Sequence, residues 1–431
     1  MSNIIKNAIL YGSERVIFLL IGIFTNIIVA RSIDVNDFGI LNTAYSLTGI
    51  LGFLFGMGVE LTLIKLIVEN KDKARTYIES AIILRLIGSL IATLIFLIFY
   101  NCFYESKVLL YASLLLIFAS TINSLSVIDC YYQAVGKANL STKAKLYSRC
   151  IAFIFQILIS ILSPNVLYFA AANVVMSISL VIIQLYYLPI RKVNKVKDES
   201  SFDIILKIFK LSWPIALSSV AVSIFLQSDI IILSKLKTNI EVAHYAAVTR
   251  LMIPIGFVAY AITQAYYPKL ISNHKNKEEY KKAIIKLNAL LFYSSILLAT
   301  LISALSYYIM LVVYGERYSI SSPLLSLMSM SIIFSFLGAV VSKMLVIKGE
   351  QKHELFKSSF SAILNIILNI ILIPKFSIYG AAFASIVSLF FANSFYFIFN
   401  KKLRYVFLWQ IEAILYIPKT FMMRIYYVLL K

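Results

Sequence analysis

Long apolar runs separated by short polar connections recur along the whole chain. About twelve of these runs reach the roughly 17–25 residues that a helix needs to cross a bilayer. They form two sets of six, and the polar segment 191–210 separates the sets. The predicted spans are 9–30, 38–58, 80–100, 108–128, 146–163 and 166–188 in the first set, and 211–234, 243–267, 287–313, 322–347, 355–374 and 378–399 in the second.

The composition agrees with this pattern, because 61% of the residues are hydrophobic, 14% are charged and the mean hydropathy is +0.87. A soluble chain of 431 residues could not bury so much apolar surface. We therefore predict an all-α integral membrane protein of two six-helix lobes. The predicted domains are an N-terminal lobe at 1–195, a C-terminal lobe at 196–400 and a cytoplasmic or interfacial tail at 401–431.

The net charge of +20 raises the question of a nucleic-acid partner, but the basic residues are divided among the connections between spans and form no basic domain. Most of the 40 Lys and Arg residues fall in alternate connections, which predicts that both ends of the chain lie in the cytoplasm. The first span has no small-residue cleavage site, and we expect it to be retained. After residue 400, apolar stretches broken at Pro418 predict a segment along the inner membrane surface, with re-entry as the alternative.

Polar side chains form stripes on several predicted spans at the three- and four-residue spacing of one helix face. These stripes predict either walls of a hydrated cavity or close contacts between helices. On the second span the stripe continues through small residues to Glu60. The stripe positions that we single out are Tyr45 on the second span, Ser219, Ser223 and Gln227 on the seventh, and Tyr260 and Gln264 on the eighth.

Two charged residues, Asp229 and Arg250, occur at a similar depth in the seventh and eighth spans. An isolated charge facing lipid costs several kcal/mol, so an ion pair is the expected arrangement. The pair is predicted to be a structural or gating clasp at the outer mouth, and direct contact with substrate is the alternative.

Four stretches resemble the polysaccharide-exporting branch of the MOP superfamily. They are ARSIDVNDFGILN at 30–42, QSDIIIL followed by HYAAVTRL, YGERYS at 314–319, and the segment 347–388 with its Asn-rich helix, Ile-Pro stop and Gly-Ala-Ala entry to the last helix. The resemblance covers nearly the whole chain. One departure is His244, which stands where the family usually has Gly before Tyr245.

This resemblance implies a Wzx-type flippase for undecaprenyl-pyrophosphate-linked oligosaccharides, used in O-antigen, capsule or exopolysaccharide assembly. It implies that the two lobes surround a central cavity and that the headgroup crosses from the cytoplasmic to the outer leaflet of the bacterial inner membrane by alternating access. The implied partners are the lipid-linked oligosaccharide and the bilayer, with the polymerase and chain-length proteins of the same pathway as further candidates.

A pyrophosphate that crosses about 30 Å of hydrocarbon needs cationic side chains. Candidate phosphate ligands are Arg15, Arg85 and Lys343, which lie near the predicted cytoplasmic edge. Each also has a structural interpretation: Arg15 and Lys343 fit interfacial anchors, and Arg15 could pair with Glu14 or Glu60. Titration of Glu14 or Glu60 is a hypothesis for proton coupling.

Other classes fit less well. The chain has no G-x-x-x-x-G-K loop and no nucleophile elbow, so we predict neither an enzyme nor a cofactor. Its three cysteines are dispersed and suggest neither a disulfide framework nor a metal site, and its three histidines are expected to be solvated loop residues. A cation-coupled multidrug antiporter of the same superfamily is the main alternative, although it should carry an acidic residue well inside the first span. A lipid II flippase would be expected to have two further helices.

Overall fold

The computed structural model describes residues 2–187 and 201–416, with side chains from residue 17 onward except those of 138 and 201. The described chain is built from helices and contains no strand, so the predicted all-α membrane architecture is confirmed. In the N-terminal part the helices are α1 Ser2–Ser32, α2 Val35–Ile50, α3 Gly52–Gly56, α4 Val59–Glu69, α5 Ala74–Phe103, α6 Lys107–Asn123, α7 Ile128–Ala134, α8 Ala138–Leu162 and α9 Val166–Tyr187.

The later helices include one, α16, that contains a kink. They are α10 Ser201–Leu236, α11 Asn239–Asn273, α12 Lys277–Ala304, α13 Ser306–Tyr314, α14 Ser322–Ser329, α15 Ser331–Ile347, α16 Lys352–Phe390, a π-helix Phe391–Phe395, α17 Tyr396–Phe399 and α18 Arg404–Ile414. Inside α16, Ser377 has a positive φ of 50° a few residues after Pro374, which lacks a backbone N–H and breaks the helical pattern. The predicted eleventh and twelfth spans lie on the two sides of this kink.

Eight described helices are long and apolar enough to cross a membrane, or up to ten if two bent helix pairs each count as one span. The bent pairs are Val35–Ile50 with Gly52–Glu69, at 50°, and Glu316–Ser329 with Ser331–Ile347, at 41°. The segment Ile17–Ser32 is a shorter apolar helix. A multi-pass protein is therefore established, whereas the count of twelve and the cytoplasmic position of both ends stay predictions.

The two faces of helix α5 lie in different environments. Its Leu90, Leu94 and Ile98 are exposed on one side, while Arg85 and Ser89 on the other are buried inside the protein. A row of exposed aliphatic side chains suits a helix face in contact with acyl chains, where polar groups would be expensive. The opposite face directs the charged side chain into the protein interior.

The chain divides into two compact units, one that ends at Ala243 and one that begins at His244. Helix α10, which contains the predicted seventh span, packs within the first unit against α2, α4 and α5. Its Ile204 and Ile208 are buried in a cluster with side chains of α4 and α5. This division of the chain does not test the boundary between lobes that the sequence predicts at residue 195, and that boundary stays a prediction.

The core of the second unit lies between α12, α15 and α18. Trp409 of α18 packs at a 6.1 Å ring distance from Tyr280 of α12. The predicted interfacial tail thus begins with a helix that is held against the protein, and residues 417–431 of that tail lie outside the described residues.

Two histidines are engaged inside the protein, so the expectation that they are solvated loop residues is wrong. His244 lies in α11 and its Nδ1 is 2.7 Å from the Ser321 hydroxyl. His353 lies in α16 and its Nδ1 is 2.9 Å from the Tyr396 hydroxyl. His244, which stands where the family usually has Gly before Tyr245, therefore lies within a helix.

Gly39 of α2 allows its helix to approach the start of α11 closely. A Cβ at Gly39 would lie 1.9 Å from the backbone oxygen of Asn239, so an alanine forces the two backbones apart. We expect Gly39→Ala to lower the free energy of unfolding by about 1–3 kcal/mol. Thermal unfolding of the purified protein in detergent would measure this change.

Gly256→Ala is the matched control, because a Cβ at Gly256 would meet only the Ser335 hydroxyl at an ordinary 3.8 Å. Alanine forms helices better than glycine, so this variant should be as stable as the unmodified protein or slightly more stable. Equal unfolding temperatures for the two variants would contradict the close approach at Gly39.

Candidate functional site

The first unit contains a cavity of about 470 Å³ between helices α2, α3, α5, α6 and α9, lined by both polar and apolar residues. A second cavity of about 280 Å³ shares Glu60, Arg85, Asn123 and Met176 with it, so the two are adjacent. The lining of the larger cavity also includes Tyr45, Thr48, Gly49, Gly52, Phe55, Gly56, Leu116, Ala119, Ser120, Ser124, Asn173 and Ser177. We call the two together the first-unit cavity.

Arg85 lies at the junction of the two parts. Its side chain is only 9% exposed, and its Nη2 donates a hydrogen bond of 3.3 Å to Oε1 of Glu60, whose side chain is 71% exposed. The buried Nε of Arg85 has no hydrogen-bond partner in the described protein. Buried donors are normally satisfied, so this Nε is an exception, and Arg85 lines both parts of the cavity.

Asp129 joins α7 to α8 in the smaller part of the cavity. Its carboxylate accepts hydrogen bonds from Lys145 Nζ at 2.7 Å and from Gln133 Nε2 at 2.9 Å, and a further one from the Ser141 hydroxyl. Three donors around one carboxylate satisfy its oxygens and fix the orientation of the lysine. The ion pair therefore sets the shape of this part of the wall.

Arg149 follows Lys145 by one helical turn on α8 and lines the same part of the cavity. Its guanidinium carbon lies 5.4 Å from the ring centroid of Phe18, within the range of a cation–π interaction. No carboxylate forms an ion pair with Arg149 among the described residues. The charged lining residues are Arg85, Lys145 and Arg149 against Glu60 and Asp129, so the described lining carries an excess of positive charge.

The cations of α8 were missed by the sequence analysis, which assigned them to a cytoplasmic connection. The sequence did contain a signal for them, because the four-residue spacing of Lys145 and Arg149 places both on one face of a helix. Positive charges near a membrane edge serve equally well as topology determinants, and periodicity does not separate the two uses.

Several neutral residues of the sequence-predicted stripes lie at or near the first-unit cavity. The Tyr45 hydroxyl accepts a hydrogen bond of 2.8 Å from Asn173 Nδ2, and both residues line the cavity. Gln227 of α10 packs against Gly49, where an added Cβ would lie 2.9 Å from its Nε2. The Ser219 hydroxyl donates to the carbonyl of Ala216 in its own helix. The half-buried Ser223 completes this stripe on α10.

The second unit brings three further sequence-predicted residues together. Lys343 of α15 donates a hydrogen bond of 2.8 Å from Nζ to Oε1 of Gln264 on α11. The same ammonium lies 5.4 Å from the ring centroid of Tyr260 and 4.9 Å from that of Tyr267. Two rings and an amide thus hold the cation in one place, which is a stronger constraint than an interfacial anchor requires.

The predicted partners Asp229 and Arg250 lie in different units. Asp229 is buried in α10 of the first unit, and Arg250 is half-buried in α11 of the second. Their ion pair stays a prediction. The side chains of Glu14 and Arg15 lie outside the described residues.

The fold of this chain is similar to the folds of solved membrane transporters. The fold matches the lipid II flippase MurJ in an inward closed conformation, with a TM-score of 0.71 and 17% identity over 94% of this chain and 91% of that one. It also matches an inward-facing multidrug resistance MATE family transporter of the MOP superfamily, with a TM-score of 0.65 and 16% identity over 93% of this chain and 96% of that one.

A family model described as polysaccharide biosynthesis protein matches residues 4–274, and the chain belongs to this family. A second model, MatE, matches residues 214–371. The resemblance to the polysaccharide branch of the MOP superfamily is confirmed by these matches. The chain is 24% identical over 199 residues to the capsular polysaccharide biosynthesis protein CapF of Staphylococcus aureus. That alignment spans 46% of this chain and 50% of the relative.

Replacing Asp129 tests whether its ion pair holds the cavity wall. In Asp129→Asn the carboxylate is lost, so Lys145 and Ser141 face an amide that accepts through one oxygen only. We expect the free energy of unfolding to fall by about 1–3 kcal/mol. The thermal unfolding midpoint in detergent would report this loss.

Glu69→Gln is the matched control, since Glu69 pairs with Lys65 at 3.8 Å on an exposed surface. Exposed ion pairs contribute little, so its stability should change by no more than about 0.5 kcal/mol. If Asp129→Asn proved as stable as this control, the carboxylate would not support the wall.

Proposed function

We propose that this protein is a flippase for oligosaccharides linked to undecaprenyl pyrophosphate. It moves the headgroup from the cytoplasmic to the outer leaflet of the bacterial inner membrane by alternating access, for O-antigen, capsular or exopolysaccharide assembly. The observation that carries this proposal is a cavity with polar side chains and an excess of positive charge inside a membrane protein of the polysaccharide biosynthesis family.

The charge of the cavity suits the anionic part of such a substrate. A pyrophosphate in hydrocarbon would lose its hydration at a cost far above thermal energy. Arginine lowers that cost because its planar guanidinium can donate two parallel hydrogen bonds to phosphate oxygens. Arg85 has a buried donor without a partner and Arg149 has no carboxylate pair among the described residues, so these two are the first candidates for phosphate contacts. Arg15 and Lys343 are further candidates.

The neutral part of the lining suits sugar hydroxyls. Tyr45, Ser120, Asn123 and Asn173 line the larger part of the cavity, and their hydroxyl and amide groups can both donate and accept. Ser219, Ser223 and Gln227 are proposed to extend this surface along α10. Tyr260 and Gln264 of the second unit are further candidates for sugar contacts.

Glu60 offers a route to energy coupling. Protonation of its carboxylate would remove the charge that pairs with Arg85 and would free the guanidinium for phosphate. Proton movement is therefore proposed to proceed through Glu60, with Glu14 as the second candidate. Asp229 and Arg250 are proposed to act as a gate on the outer side. The polymerase and chain-length proteins of the same pathway are proposed partners.

A cation-coupled multidrug antiporter is the second candidate function. It is favoured by the MatE family model over 214–371 and by the structural match to a multidrug MATE transporter. An excess of positive charge in the first-unit cavity would repel cationic compounds, which makes this function the weaker candidate.

Substitution of Arg85 tests the proposed role in cells that lack the native gene. One charge-assisted hydrogen bond contributes about 1.5–3 kcal/mol, so Arg85→Gln should reduce surface polysaccharide at least about tenfold. Lipid-linked repeat units should accumulate on the inner leaflet. Arg85→Lys retains the charge but loses the two-pronged donor, and we expect an intermediate level.

Arg75→Gln is the matched control on the same helix, because Arg75 pairs with Glu79 and lines neither part of the cavity. At equal protein abundance in the membrane, this variant should restore polysaccharide as the unmodified chain does. Full activity of Arg85→Gln would refute the role of Arg85. Unaltered surface polysaccharide after deletion, together with increased sensitivity to drugs, would support the antiporter instead.

A further inference from the structure

The first unit has another pocket, of about 380 Å³, which shares no lining residue with the first-unit cavity. It lies where the end of α5, the start of α6, the end of α10 and the start of α2 meet. We call it the α5–α6 pocket. Its polar and aromatic lining residues are Thr43, Asn101, Phe103, Tyr104, Glu105, Ser106, Ser234, Lys235 and Asn239.

Three polar side chains of this pocket remain without a polar partner in the described part of the chain. The amide of Asn101, the carboxylate of Glu105 and the ammonium of Lys235 have neither a hydrogen-bond nor an ion-pair partner in the described protein, and all three are exposed. They supply donors and acceptors in one place. The opposite charges of Glu105 and Lys235 balance, so the pocket is not selective for an ion of either sign.

Aromatic rings fix the position of Lys235. Its Nζ lies 4.4 Å from the ring centroid of Tyr104 and 5.7 Å from that of Phe103. The Tyr104 hydroxyl is 2.7 Å from that of Ser234, which holds this ring against α10. A cation between two rings loses little conformational freedom when a ligand binds, so its donors are pre-organised.

Phe103 provides the apolar surface of the pocket. It is 50% exposed, and its ring centroid lies 4.6 Å from that of Phe99, so Phe99 supports the ring while about half of the residue stays open. A ligand with an apolar face and a polar rim would cover this ring and reach Asn101 and Glu105. Binding pockets generally combine an aromatic surface with a few polar groups in this way.

We infer that the α5–α6 pocket binds carbohydrate, with one sugar ring against Phe103. Sugar hydroxyls both donate and accept, which matches a lining of amide, carboxylate and ammonium groups. The C–H face of a sugar ring is the apolar surface that an exposed phenyl ring can cover. The short connections that form the pocket lie on the predicted outer side. The pocket would therefore receive the glycan after translocation, and this part rests on the proposed function and orientation.

Cys102 lines the pocket and is exposed, which makes it a reporter of binding. In a full-length Cys130→Ala, Cys150→Ala background, a membrane-impermeant maleimide applied to intact cells should label Cys102 from outside. With the purified protein, millimolar maltotriose or N,N′,N″-triacetylchitotriose should slow this labelling at least fivefold. An equimolar linear polyether should leave the rate unchanged.

Phe103→Leu removes the aromatic surface, and we expect the sugar concentration for half protection to rise about tenfold or more. Tyr308→Leu is the matched control, because Tyr308 is an exposed aromatic residue in the second unit. Each variant should elute as a single species and label at the unmodified rate without sugar.

Protection by neither trisaccharide would overturn the carbohydrate site, and so would equal protection in Phe103→Leu. Labelling only after permeabilisation would overturn the outer placement. These results are independent of the Arg85 experiment. Absence of protection in the unmodified protein together with normal polysaccharide export counts against the α5–α6 pocket alone, and normal export by Arg85→Gln counts against the phosphate role alone.

Discussion

Hydrocarbon offers no hydrogen-bond partner, so polar groups in the spans must be satisfied within the protein, and the structure follows from that constraint. Helices satisfy their own backbone. Many hydroxyl side chains then bond to a carbonyl one turn earlier, as the Ser89 hydroxyl does with Arg85 and the Thr93 hydroxyl with Ser89 at 2.8 Å. Polar residues can therefore line a helix face without destabilising it. This is the condition under which a water-filled cavity can exist between apolar helices.

The same constraint decides where charge can lie. On α5, aliphatic side chains occupy the exposed face and Arg85 the buried one, where Glu60 compensates part of its charge. Asp129 does the same for Lys145. Compensation is incomplete, because Arg149 has only an aromatic neighbour for its charge among the described contacts. The cavity therefore keeps a positive potential that an anionic headgroup can neutralise, and this links the energetics of folding to the proposed transport.

Some of the residues that the sequence pattern singled out prove to be neighbours. The stripe of Tyr260 and Gln264 and the cation Lys343 were each found separately, and the structure joins all three in the second unit. Arg85 was expected to be a phosphate ligand; the structure buries it beside Glu60, and its role stays a prediction. Arg149 was overlooked because a positive charge at a membrane edge is ordinarily a topology determinant. The partner of Arg85 was also not predicted, since Glu60 had been weighed as a partner for Arg15 instead.

By itself, the sequence determined the membrane class, the approximate positions of the helices and the superfamily. Span length, hydropathy and helical periodicity are local properties of the chain, and the family motifs are contiguous. Only the tertiary structure decided that Glu60 meets Arg85, that α10 packs within the first unit, and that α16 bends at Ser377. Such features depend on how distant helices pack and on where close backbone contacts, as at Gly39, are tolerated. Neither the packing of distant helices nor a close backbone contact is determined by the residues of one segment alone.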